Sequence, residues 1–127
     1  MDTTRRGLLK DMGFSEKAVG ILESGLNMAP LQQPSVTMKH QGGCGDILFL
    51  TLRIEDDRIT DAGFEYIGCA GLQSCASAMT EMIKGMNVQD ARQIDAREII
   101  NYLEGIPAQK HDCAEIAATC LHKAIEH

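Results

Sequence analysis

The chain has 127 residues, 44% hydrophobic and 24% charged, a composition that suits one globular domain with one buried core. A formal net charge of −6 and a pI near 5.1 exclude the clustered Lys and Arg that a nucleic-acid partner needs. No apolar run approaches the ~20 residues that span a bilayer, and the five cysteines come with no signal-peptide-like segment after Arg5-Arg6, so reduced thiols and a cytoplasmic location are expected, with no membrane partner.

A single domain is expected over 1–127, with 1–13 as a flexible N-terminal segment. Residues 1–34 read as a polar start and then a short helix, with Ser15 as N-cap, Ala18, Ile21 and Leu22 on one side, and Gly25 as the stop. Pro30 and Pro34 force extended chain. The stretch 35–40 alternates Val36, Met38 and His40 against Thr37 and Lys39, the period of a strand. Beyond the loop Gly42-Gly43-Cys44-Gly45-Asp46, a second strand puts Leu48, Leu50, Leu52 and Ile54 on one face. Asp56-Asp57 makes a turn, and 58–67 returns as the antiparallel partner.

From Gly71 the period becomes helical, through Leu72, Cys75, Ala76, Met79, Met82 and Ile83, and Gly85 closes the segment. Residues 88–94 form a weaker helical turn. Asp95 and Glu98 have capping-box spacing before a helix carrying Ile99, Ile100 and Leu103, which Gly105 and Pro107 end. The last helix is expected to start at Asp112, with Glu115 completing a second box and Ile116, Ala117, Cys120, Leu121 and Ala124 on its apolar face. Strands and helices without βαβ alternation indicate an α+β fold, a three-stranded antiparallel sheet with helices packed on one face.

Cys44, Cys69 and Cys113 each fall at the end of an element, where open backbone N–H groups and a helix dipole favour the thiolate that binds metal or attacks sulfur. Asp46, two residues from Cys44 in extended chain, faces the same side and is a candidate oxygen ligand or base. Asp112 is either an N-cap or a ligand, and its neighbour His111 is within reach of the same site. From the residues alone, a three-cysteine metal site and a set of inert buried thiols stand as alternatives, because no CxxC pair is present. Cys75 and Cys120, on apolar helix faces, read as core. His40 reads as part of the sheet face, His122 and His127 as solvated, and Lys84 and Lys110 as surface charges.

Taken together, Cys44-Gly45-Asp46, Gly68-Cys69-Ala70-Gly71, Thr80-Glu81-Met82-Ile83-Lys84-Gly85 and Asp112-Cys113-Ala114-Glu115 resemble, in that order, the IscU/NifU-type iron-sulfur cluster scaffold proteins, over roughly residues 14–126. The resemblance implies a scaffold rather than an enzyme. On such a scaffold a transient 2Fe-2S cluster is built from iron and from persulfide sulfur delivered by a cysteine desulfurase, then passed to acceptor apo-proteins. Carried over by position, Cys44, Cys69 and Cys113 are the cluster ligands, and Asp46 matches the family's aspartate, which tunes cluster lability.

This chain departs from that pattern at Asp112, which stands where the IscU branch has His, with the histidine, His111, one position earlier. The fourth ligand is thus open between Asp46, Asp112 and His111. Ile106-Pro107-Ala108-Gln109-Lys110 resembles only loosely the Leu-Pro-Pro-Val-Lys motif read by a dedicated chaperone, so a chaperone is the weakest of the implied partners. The SufU-type branch, which holds Zn and relays sulfur, differs by an insertion between its second and third cysteines that this chain lacks. A Zn-dependent sulfurtransferase of that type and a structural Zn-binding module are the alternative functions, since three thiolates with one carboxylate or His also suit tetrahedral Zn.

Overall fold

Asp56 and Asp57 both adopt left-handed backbone, with φ of 52° and 62°, in the computed structural model of the chain, which describes residues 3–43 and 45–126. Two successive left-handed residues make the tight hairpin turn whose twist matches its strands. It joins β2 (Ile47–Glu55) to β3 (Arg58–Ile67), while β1 (Val36–Gln41) pairs antiparallel with the other edge of β2, giving the sheet order β1-β2-β3. Leu50 faces Phe64 and Leu52 faces Ala62 across the hairpin. Leu48, Leu50, Leu52 and Phe64 are fully buried on one face. A bulge between Arg53 and Ile54 breaks the alternation, so Ile54, expected on that same face, is only half-buried.

Helices α3 (Ala70–Ile83) and α6 (His111–Ile125) cover that face, α3 over β3 and α6 over β1 and β2. The α+β architecture, with helices packed on one face of a three-stranded antiparallel sheet, is as the sequence implies. Helix α2 (Glu16–Ser24) packs on α3, is capped by the Ser15 hydroxyl accepting from Ala18 N at 2.9 Å, and stops at the left-handed Gly25. The short α4 (Val88–Ala91) and α5 (Ala96–Tyr102) follow α3, with Asp95 capping α5 through Glu98 N at 2.9 Å.

Two expectations change here. Residues Thr3–Met12, read as a polar start within an N-terminal segment 1–13 expected to be flexible, form α1, which Leu9 anchors in the core and which Arg6 and Lys10 tie to Glu16 and Glu23 of α2. The last helix begins at His111 rather than using Asp112 as its cap. A 3-10 turn at Ala108–Lys110, closed by Lys110 N donating to Pro107 O at 2.8 Å, carries the chain directly into the helix. Asp112 therefore lies inside the first turn, where its charge still complements the helix dipole.

The opposite sheet face is half-covered by the strap 27–35. Leu31 N donates to the Thr51 hydroxyl at 3.0 Å, and Ala29 O lies 2.2 Å from where a Cβ on Gly63 would stand, so only glycine fits beneath the strap. Asn27, at φ 61°, starts it. Its carbonyl accepts from Phe64 N at 3.1 Å on the β3 edge. Its side chain donates to Thr80 Oγ1 at 3.1 Å and Glu81 Oε1 at 3.2 Å and accepts from Lys84 Nζ at 2.6 Å. Lys84, expected as a surface charge, is thus tied into this latch, as are the other polar residues of the Thr80-to-Gly85 segment. A sequence shows spacing along a helix but not the distant loop that uses it.

Candidate metal centre

Asp46 Oδ1 lies 3.0 Å from where a Cβ on Gly68 would be, so that glycine leaves room for the carboxylate to sit against the start of α3. Cys69 occupies the N-cap of α3, and Cys113 lies in the first turn of α6. Both helix starts converge on the end of the sheet from which Asp46 leads into β2. Asp46, Cys69 and Cys113 offer ligand atoms that all lie within 4.8 Å of one another. The two sulfurs are 3.8 Å apart. Two thiolates bound to one tetrahedral metal at ~2.3 Å stand about 3.8 Å apart, so the pair is already spaced to share a metal ion. A soft sulfur pair with one hard carboxylate suits Zn or iron in a sulfur-rich site. Cys44, expected beside them, lies outside the described residues.

Gly71 opens the space above Cys113. A Cβ there would meet the Cys113 sulfur at 3.1 Å and the Lys110 side chain at the same distance. Lys110, read from the sequence as a surface charge, thus lays its stem along α3, and its ammonium favours both thiolates. The signal for it was its place three residues before Cys113, on a turn that brings it back over the thiol.

The two thiols differ in acidity. Burial pulls Cys69 upward, but the N–H groups of Leu72 and Gly71 at the open end of α3, the Cys113 S–H and Lys110 outweigh it and hold Cys69 below the ordinary thiol value. Those N–H groups face the sulfur without closing a full capping bond. Cys113 is pushed up by burial, by the Cys69 thiolate that it donates to, and by Asp46. Of the two, Cys69 is the more acidic thiol and so the readier nucleophile.

The other predicted residues separate. Asp112 lines a hollow of about 350 Å³ together with Asp46, His40, Glu115 and Thr119, while His111 lines a different one with Asp95, Arg97 and Asn101. His40 is half-buried on β1, its Nδ1 3.2 Å from Lys123 Nζ, and burial followed by that ammonium lowers its pKa. His122, expected to be solvated, has its Nε2 2.7 Å from Ile94 O, because the turn after α4 folds back against α6. Cys75 and Cys120 are fully buried in the core, as their helix faces imply. Among the described residues no helix is long and apolar enough to cross a membrane.

A family model described as the NifU-like N terminal domain matches residues 15–127. The iron-sulfur cluster assembly scaffold protein IscU of Rickettsia prowazekii is 33% identical over 122 residues, covering 90% of each chain. IscU 1 of Archaeoglobus fulgidus is 37% identical over 82 residues, 65% of this chain and 54% of that one, so the match spans about half the relative's length. The crystal structure of a NifU-like N-terminal protein from Brucella abortus superposes with a TM-score of 0.73 at 17% identity, over 93% of this chain and 95% of that one, which shows a shared fold. A three-stranded α+β fold that gathers Asp46, Cys69 and Cys113, and a family match running from the cap of α2 to the C-terminus, together make this chain a member of the NifU-like N-terminal domain family.

Proposed function

We propose that the chain is a scaffold on which an iron-sulfur cluster of the 2Fe-2S type is assembled and from which it is released. The observation that carries this reading is the convergence of Asp46, Cys69 and Cys113 at the meeting point of α3, α6 and the loop before β2. The relatives named above as IscU scaffold proteins support it. Cys44, two residues before Asp46, supplies the third thiolate in this proposal. Asp46 is the fourth ligand of choice, because it stands with the sulfurs, whereas His111 faces another hollow and Asp112 lies at the rim with Asp46.

Sulfur arrives when a thiolate of the site attacks the outer sulfur of a cysteine desulfurase persulfide. A new S–S bond forms, the donor's S–S bond breaks, and the donor thiolate leaves. The bound sulfane sulfur becomes sulfide on taking two electrons from a thiol reductant, and iron held by the remaining ligands captures it. Release to an acceptor apo-protein proceeds by ligand exchange. One carboxylate among thiolates suits release, since a hard oxygen binds this soft centre less firmly than a fourth sulfur.

Anaerobic reconstitution with iron, cysteine and a desulfurase is expected to give cluster absorption that is lost in Cys44→Ser, Cys69→Ser and Cys113→Ser. A full cluster in Cys69→Ser contradicts the assignment. A second reading, a Zn-dependent sulfurtransferase, draws on the 3.8 Å sulfur spacing, which matches a single tetrahedral ion. Stimulation of desulfurase turnover by the Zn form, without cluster formation, selects it.

A further inference from the structure

The Cys69 and Cys113 sulfurs touch at 3.8 Å, and the two thiols differ in access. Cys69 is half-buried at the start of α3, open to an incoming reagent, whereas Cys113 is only 4% exposed and lies behind it. Because Gly71 has no side chain, the Cys113 sulfur packs against the first turn of α3 at a place where a Cβ would crowd it at 3.1 Å, and so stays in contact with Cys69. Cys75 and Cys120 are wholly buried and out of reach of solvent. This is the layout of an attacking thiol with a resolving thiol beside it.

We propose that the empty scaffold closes Cys69 and Cys113 into a disulfide when it meets a low-molecular-weight disulfide such as oxidised glutathione, and that the closed form takes no cluster. In the first step the Cys69 thiolate attacks one glutathione sulfur. The protein–glutathione bond forms, the glutathione disulfide breaks, and one glutathione leaves, taking up the proton that Cys69 released. In the second step Cys113 gives its proton to solvent and attacks the Cys69 sulfur, and the second glutathione leaves and is protonated. Two protein thiols are oxidised to one disulfide as one glutathione disulfide is reduced to two thiols, and excess thiol runs the sequence backwards. A metal or cluster that occupies both sulfurs blocks the first attack, so closure is confined to the unloaded protein. The bond itself needs only the geometry above, while its effect on loading rests on the scaffold reading.

The test incubates the reduced, metal-stripped 127-residue chain anaerobically with oxidised glutathione and maps the products by tryptic digestion. Peptides 59–84 and 111–123 each carry a second cysteine, Cys75 or Cys120, so the linkage is assigned by fragmentation. The expected result is a Cys69–Cys113 cross-link in the wild type, a persistent glutathione adduct on Cys69 in Cys113→Ser, and no uptake of iron and sulfide until dithiothreitol is added. A persistent adduct on wild-type Cys69, or pairing of either thiol with Cys44, overturns the proposal even if the reduced protein assembles a cluster. Cluster loading by the cross-linked protein overturns the switch. A cross-link in a protein that takes no cluster when reduced supports closure and counts against the scaffold reading alone.

Discussion

A methyl group on Gly71 would stand 3.1 Å from the Cys113 sulfur and equally close to the Cβ and Cδ of Lys110. The first turn of α3 can lie on the second thiol only because that group is absent. Gly71→Ala is therefore expected to displace Cys113 and Lys110, to lower stability by about 1–3 kcal/mol through overpacking, and to weaken Zn binding. Gly20 in α2 has nothing within 4 Å of its would-be Cβ, so Gly20→Ala is the control. It is expected to leave stability unchanged or raise it by up to about 1 kcal/mol. Thermal unfolding and Zn titration of the two variants check this pair of outcomes.

Gly68 makes the corresponding space for Asp46. If that carboxylate is a ligand, Asp46→Ala weakens Zn binding by about tenfold or more, since even residues one shell out cost about 10–100-fold. His111→Ala, which changes a separate hollow, leaves the affinity as it was. Competition titration with a chromophoric chelator measures both, and equal losses in the two variants contradict the assignment.

The thiols also set a pH dependence. Cys120 is pushed up to about 12 by burial, and Cys75 is raised further by the same cause, so both stay protonated in the folded chain through the alkaline range. In the unfolded chain they lose their protons above about pH 8.5. The unfolded state then binds fewer protons than the folded one, and stability falls as pH rises, by about 1.4 kcal/mol per unit for each thiol. Urea unfolding of metal-free protein at about pH 7.5 and about pH 9.5 is expected to show this decline. A flat profile contradicts it. Cys69, held low, is expected to be the first of the described thiols to react with iodoacetamide, well ahead of Cys113.

Asn27 joins the strap to α3 through Thr80, Glu81 and Lys84 while holding a left-handed backbone. Asn27→Gly keeps the backbone and loses the side-chain bonds, at about 1–3 kcal/mol. Asn27→Ala adds the left-handed penalty of about 1–2 kcal/mol. Thermal denaturation is expected to rank wild type above Asn27→Gly and that above Asn27→Ala. An Asn27→Ala protein as stable as wild type contradicts the latch.

What could be read from the chain depended on range. The strands, Ser15, Gly25, Asp95 and the burial of Cys75 and Cys120 follow from periodicity and capping within a few residues, and the structure agrees with each. Cys69, Cys113 and Asp46 stood out because small residues and element ends surround them, although that they converge is a tertiary fact. Partners that come from far along the chain left no local mark. His122 read as solvated and Lys84 and Lys110 as surface charges, and the contacts of His122 with Ile94, of Lys84 with Asn27 and of Lys110 with Gly71 come from parts of the chain far from each. Asp112 looked like a cap because its spacing to Glu115 is right, but the 3-10 turn after Pro107 started the helix one residue sooner. Helix α1 left little apolar pattern to read, since Leu9 is its one buried residue among those described and Arg6 and Lys10 meet α2 through ion pairs.

The scaffold claim is tested most directly by elemental analysis of protein purified anaerobically and not reconstituted, comparing wild type with Cys69→Ser. The account predicts iron and acid-labile sulfide in equal amounts in the wild type and neither in the variant. Zinc without sulfide in the wild type, or the same iron and sulfide content in both proteins, contradicts it.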